Sequence, residues 1–220
     1  MATTTTQNKT IEFKKLIPDF KRFAASKRGP REILKYVHYD GSHVIVTDGH
    51  RLLRINADYV TGLPYDEPFL YNVYTGESVK GSKADTRSYP ETNRLIPDYP
   101  NTSVELDDGT IKSLRGGVGE LAKSVKKTEN SLIRLNVTQN NINIGDQEGE
   151  FNKDIAASVT GDAIEIYFNR MYVKDVLMTV SKLDKLSQGN PTMGITGRLR
   201  PANIHKENVY DIVLLPVRLY

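Results

Sequence analysis

The sequence predicts an α+β protein made of two similarly organised units, each an antiparallel sheet with helices on one face, the first abbreviated. Three observations predict this. Short β-patterned runs bounded by turn signals alternate with amphipathic helical stretches. A helix followed by a meander of strands occurs twice. A short polar stretch, Asp107-Asp108-Gly109-Thr110, separates the two occurrences. The units are expected over residues 10–106 and 112–220, and a chain of 220 residues has room for both.

Residues 10–15 read as a strand, in which Ile11 and Phe13 alternate with polar neighbours. A helix is expected over residues 18–28, with Phe20, Phe23 and Ala24 on its apolar face, continuing the spacing of Leu16 and Ile17. Starting it near Pro18 keeps the proline in the first turn, where it is tolerated. The run Lys27-Arg28-Gly29-Pro30 stops it. Residues 33–39 then lead into the hairpin turn Asp40-Gly41 and a strand at 44–47. Asp48-Gly49 makes a second turn before a strand at 52–55. Residues 61–95 are punctuated by Gly62, Pro64, Pro68, Gly76, Gly81 and Pro90. One or two strands are expected there from Phe69 to Tyr74, with an exposed loop at 80–85 and too little regular chain for a second helix.

The second unit opens with a helix expected over 114–127, where Leu114, Val118, Leu121 and Val125 share a face. Strands follow at 133–137 and 142–144 around Asn140-Asn141, then at 155–159 and 164–168. Asn169 is placed to cap a helix running through residue 184. Two late strands, 192–196 and 209–217, close the chain.

Composition narrows the function. Thirty basic and 27 acidic residues leave a net charge of +3, too small for an all-basic nucleic-acid coat but compatible with a basic stripe opposite an acidic face. The absence of cysteine excludes disulfides, thiolate zinc sites and a cysteine nucleophile. No apolar run approaches the length of a membrane span. The first nine residues lack the apolar core of a secretion signal, so the expected compartment is the cytoplasm. Among His38, His43, His50 and His205 none falls in a metal-ligand motif. Asp48 with His50 is the one pairing that suggests a metal-dependent hydrolase, kept as a minor alternative. Gly116-Gly117-Val118-Gly119 lacks the Gly-Lys-Ser/Thr ending of a P-loop. No cofactor is expected.

Four segments, in order, resemble the bacterial DNA polymerase sliding clamp, the beta subunit family. Val46-Thr47-Asp48-Gly49-His50-Arg51-Leu52 is similar to a turn of its middle domain, and Ile96-Pro97-Asp98-Tyr99 to its Pro-Asp-Tyr segment. The stretch from Ile164 to Leu177 resembles the strand-to-helix passage of its last domain. Val213-Leu214-Leu215-Pro216-Val217-Arg218-Leu219 resembles its C-terminal strand. The resemblance runs from about Thr10 to Leu219 and covers the family's second and third domains, as in a reduced clamp of the kind a bacteriophage would encode and use in the host cytoplasm.

That resemblance implies a non-enzymatic processivity factor that encircles double-stranded DNA without reading its sequence. It also implies docking of a short hydrophobic peptide, from a DNA polymerase or clamp loader, in a groove. Carried over by position, the groove walls are Leu34, Thr47, Gly49, His50, Arg51, Leu52, Pro97, Thr102, Val213 and Leu215. Leu52, Val213 and Leu215 equally fit a reading as ordinary core. The candidate DNA-facing groups are Lys21, Arg22, Lys27 and Arg28; Arg115, Lys123, Lys126 and Lys127; and Arg170, Lys174 and Lys182. Such lysines also occur on merely solvated helix faces. Family rings hold six modules from two chains, so a two-module chain is expected to form a homotrimer closed by head-to-tail contacts. A clamp-fold interaction protein that does not encircle DNA is the alternative.

Overall fold

The computed structural model describes residues 9–81, 89–97, 100–124 and 132–219. Lys126, Lys127, Asp98, Tyr99 and residues 82–85 of the expected loop lie outside that range.

Strand β1 (Ile11–Glu12) is only two residues long, and α1 (Phe13–Phe23) begins directly after it. The helix therefore starts five residues earlier than expected, encloses Pro18, and leaves Lys27 and Arg28 in the turn beyond it. Burial explains the difference. Phe13, Leu16, Phe20 and Phe23 are all sealed from solvent, and each contributes roughly 1.5–3 kcal/mol. Together they outweigh the ~3 kcal/mol cost of an interior proline.

The meander follows as expected: β2 (Tyr36–Tyr39), β3 (His43–Thr47) and β4 (Arg51–Asn56), joined through Gly41 and Gly49, both with positive φ. Residues 33–35 belong to a short 3-10 turn, Glu32–Lys35, and not to the strand. The irregular stretch supplies β5 (Val60–Thr61), β6 (Phe69–Asn72) and β7 (Ser78–Lys80), and among its described residues no α-helix.

Next come β8 (Thr102–Glu105) and α2 (Asp108–Ser124). The helix begins six residues before the expected position, because the presumed linker is its first turn. Asp107 caps it, its Oδ1 accepting from the Thr110 N–H at 2.6 Å. That backbone hydrogen bond holds the Asp107 carboxyl below its usual range. Gly117 lets the helix lie close on the neighbouring sheet, since a Cβ there would stand 2.8 Å from Ile144 Cδ1.

Strands β9 (Leu132–Thr138), β10 (Asn141–Gly145), β11 (Asn152–Ala156), β12 (Val159–Gly161) and β13 (Ile164–Asn169) precede α3 (Arg170–Leu183). Asn169 caps α3 by accepting from the N–H groups of Met171 and Tyr172. β14 (Thr192–Ile195), β15 (Ala202–Lys206) and β16 (Tyr210–Leu214) complete the fold. The sequence reading missed β15. Its inward positions are Ala202, Ile204 and Lys206, and the lysine breaks the apolar alternation. That lysine is nonetheless buried, its ammonium held by the Asp184 carboxylate and by the Asp184 and Ser187 carbonyls.

Ten strands form one continuous sheet in the order β12-β8-β14-β15-β16-β4-β3-β2-β6-β7, and four form a second, β11-β10-β9-β13. The seam is β16 against β4, antiparallel, with Leu52 opposite Val213 and Leu53 opposite Ile212. Thr102–Glu105, inside the expected 10–106 unit, hydrogen-bonds to β12 and β14. Among the described residues, α1 packs on β3 and β4 of the large sheet, α3 bridges β16 and β13, and α2 lies on α3 and on β10 and β11 of the four-stranded sheet, while a single buried core runs through both halves. The face of the large sheet opposite α1 carries a smaller apolar cluster of Ile45, Leu52, Leu70, Tyr89 and Val213.

Candidate functional site

Strand alternation puts Leu52 and Val213 on the helix-free face, while Leu53, Ile212 and Leu214 enter the main core. Thr47 lies opposite Leu52 in register. Its hydroxyl donates to the Arg51 carbonyl at 2.7 Å and accepts from the Gly49 N–H at 3.0 Å. Asp48 closes the same turn by accepting from the N–H groups of His50 and Arg51. Gly49 has φ of 90°, and a Cβ there would sit 3.1 Å from Arg31 Nη1 and 4.0 Å from Leu34 Cδ1. Leu215 continues the line of Val213. Its N–H donates to the His50 carbonyl at 2.9 Å, and the residue is 38% exposed. Leu34, Thr47, Gly49, Leu52, Val213 and Leu215 thus surround the seam. Pro97 lines an adjoining cleft with Ile96 and Pro100.

Three candidate groove residues are placed elsewhere. Arg51 turns to the helix side and is 8% exposed. Its guanidinium donates to Asp48 Oδ2 at 3.0 Å and Asp175 Oδ2 at 2.7 Å, and lies 4.2 Å over the Tyr172 ring. It is a strut between β4 and α3. The His50 ring also faces Tyr172, at 6.0 Å between centroids, and the Asp48 carboxylate is taken up by backbone N–H groups and Arg51. Thr102 shares a strand face with the core residue Val104, and its hydroxyl donates to the Asp162 carbonyl at 2.6 Å. Four strand spacings separate β8 from β4. Tyr89, which the sequence reading did not single out, fills part of the cluster, and burial pushes its phenol pKa up. A lone tyrosine in an irregular stretch carries no periodic signal.

The basic candidates divide in the same way. Lys21, Lys27, Arg28, Arg115, Lys123 and Lys174 are exposed. Arg22, Lys182 and Arg170 are engaged internally. Asp19, 2% exposed, accepts from Arg22 Nη1 at 2.7 Å, Thr179 Oγ1 at 3.0 Å and Lys182 Nζ at 2.6 Å. Lys182 also donates to the Lys15 carbonyl. Arg170 is buried against the end of α2, with Nη1 3.4 Å from the Leu121 carbonyl. These three join helices to one another.

The structure adds Lys14, Lys15 and Lys112 to the exposed helical set. Lys112 could have been found from its i,i+3 spacing to Arg115, had α2 been started at Asp108. With Arg115 and Lys174 it lines an open cleft of about 390 Å³ between α2 and α3. The three helices together carry ten basic and four acidic residues, a net +6 against +3 for the whole chain. The helical face is therefore the positive one.

These features define an α+β fold with paired helices on one side of a continuous sheet and an apolar seam on the other, and it is the sliding-clamp fold. No protein-family model and no curated protein matches the sequence. Among solved structures, the chain is similar over its whole length to the DNA polymerase sliding clamp of Bacillus subtilis, with a TM-score of 0.69 and 20% identity. It is likewise similar to the DNA polymerase III subunit beta of Pseudomonas aeruginosa (0.68, 18%) and that of Thermotoga maritima (0.69, 16%). The chain spans 66%, 69% and 68% of those three chains, about two thirds of their length.

Proposed function

We propose that this chain is a subunit of a DNA sliding clamp, holding double-stranded DNA by enclosure and tethering a polymerase through a short hydrophobic peptide. The observation that carries this reading is the opposition of two faces in the sliding-clamp fold: exposed lysines and arginines on the helices, and an apolar seam on the other side of the sheet. Helices that present positive charge without base-reading groups favour phosphate and permit sliding. Lys14, Lys15, Lys21, Lys112, Arg115, Lys123 and Lys174 are the proposed DNA-facing groups. Leu34, Thr47, Gly49, Leu52, Val213 and Leu215 are the proposed peptide groove, and a clamp loader would use the same groove.

Three copies joined head to tail would supply six modules and close a ring. The test combines mass in solution with retention on nicked circular against linearised DNA. A trimer retained on circles and lost from linear ends is expected. A monomer bound equally to both forms would overturn enclosure and leave a clamp-fold interaction protein.

A further inference from the structure

Where α2, α3 and the two sheets of the second half meet, the core encloses a cavity of about 40 Å³. Val118 of α2, Leu177 of α3, Phe168 of β13, Ala202 and Ile204 of β15 and Leu214 of β16 are among its walls, and every lining side chain is apolar. The strand backbones around it are paired in their ladders. A void of roughly 10–15 Å³ already admits one water, but that water needs two to four polar partners. Here the walls supply none. The cavity is large enough for water and too apolar to keep it.

Its origin lies in side-chain size. Ala202 points inward opposite Leu214 on the neighbouring strand and stops at a single methyl, leaving space between strands and helices that no other side chain enters. Atoms that line a dry void lose dispersion contacts on that side. A guest recovers them only if it brings no donor or acceptor of its own, because a buried polar group without a partner is costly. Access is short. Val118 lines both this cavity and the open cleft between α2 and α3, and it is the residue the two spaces share.

We propose that this cavity is a binding site for a small uncharged apolar molecule, of the size of a xenon atom or a light hydrocarbon, which enters from the α2–α3 cleft past Val118. The guest sits beneath the helices that carry Lys112, Arg115 and Lys174 and touches none of the three. The site is separate from the apolar seam, and it stands whether or not the chain encloses DNA.

The probe is xenon, applied under pressure to the methyl-¹³C-labelled protein and read by NMR. A one-atom guest binds no more tightly than a Kd of about 0.1 M, so methyl shifts should grow in proportion to gas pressure. They are expected at Val118, Leu177 and Ile204, with Leu16 and Val44 in the core of the first half unmoved. Ala202→Val fills the void, and it should cut the response about tenfold and raise the thermal unfolding midpoint. Val118→Ala enlarges the void, and it should raise the response roughly twofold while lowering the midpoint. Should Ala202→Val melt early through overpacking, Val118→Ala decides alone. Shifts that are absent, or spread alike over both halves, would overturn the site. So would a full response in folded Ala202→Val, or an unchanged one in Val118→Ala.

Discussion

The Lys182 ammonium lies 2.6 Å from the Asp19 carboxylate, joining α3 to α1. Asp19 also receives Arg22 and Thr179, and Arg51 reaches Asp175 on the same α3. The two halves are thus tied on the helix side by buried charge and on the sheet side by the β4–β16 ladder. A buried charge cluster adds little net stability over apolar packing, yet removing its shared member is costly, because the remaining cations lose their partner.

Asp19→Ala should therefore destabilise the fold by about 3 kcal/mol. Lys182→Met should cost much less, because Asp19 keeps Arg22 and Thr179. Urea unfolding of the two variants checks this. Equal small losses would show that the carboxylate is not the tie.

Neighbouring glycines of α2 should respond with opposite sign. Nothing lies within 4 Å of a Cβ on Gly116, whereas one on Gly117 would crowd Ile144. Gly116→Ala should stabilise by up to about 1 kcal/mol through helix propensity. Gly117→Leu should destabilise by about 2 kcal/mol through overpacking. Thermal melts read both signs.

The cleft between α2 and α3 makes a prediction about DNA. Replacing Lys112, Arg115 and Lys174 together by glutamine should leave folding intact and weaken association with every sequence alike. If all three contact phosphate, the log–log salt slope should fall in magnitude by about 2.7, close to 0.9 per contact. A slope unchanged in fluorescence anisotropy would move DNA away from this cleft.

His205 provides a pH readout. Its hydrogen bond to Asp211 raises the imidazole pKa above its usual 6.5, outweighing partial burial. Asp211 is shifted the other way: burial opposes ionisation, but bonds from His205 and Arg54 prevail and lower its pKa. The imidazole's contribution to stability is fully present below pH 6.5 and is lost as pH rises through the folded-state pKa. Asp211 contributes above its unfolded value and is lost only as pH falls through its lowered one. His205→Ala should therefore cost more stability at pH 6 than at pH 8.5. In an NMR titration, Asp211→Asn should bring the His205 pKa down.

Much of this architecture was legible because strands and caps are local. Asp40-Gly41 and Asp48-Gly49 announced their turns, and Asn169 announced α3. Helix starts were misread at Pro18, where tertiary burial overrode a local signal, and at Asp107–Thr110, where a polar capping turn reads like a linker. Lys206 hid β15 because its ammonium finds three oxygens that lie close only after folding.

By itself the sequence determined the alternation of strands and helices, and which residues could be basic or apolar at each position. Those properties follow from backbone preference and side-chain chemistry within a few residues. Only the tertiary structure decided the use of each charge. Lys21 and Lys174 face solvent, whereas Arg51 and Arg170 are buried and Lys182, though partly exposed, is taken up by Asp19. The reason is physical: a cation's role depends on whether a distant carboxylate or carbonyl arrives within hydrogen-bond reach, and that proximity is created by packing.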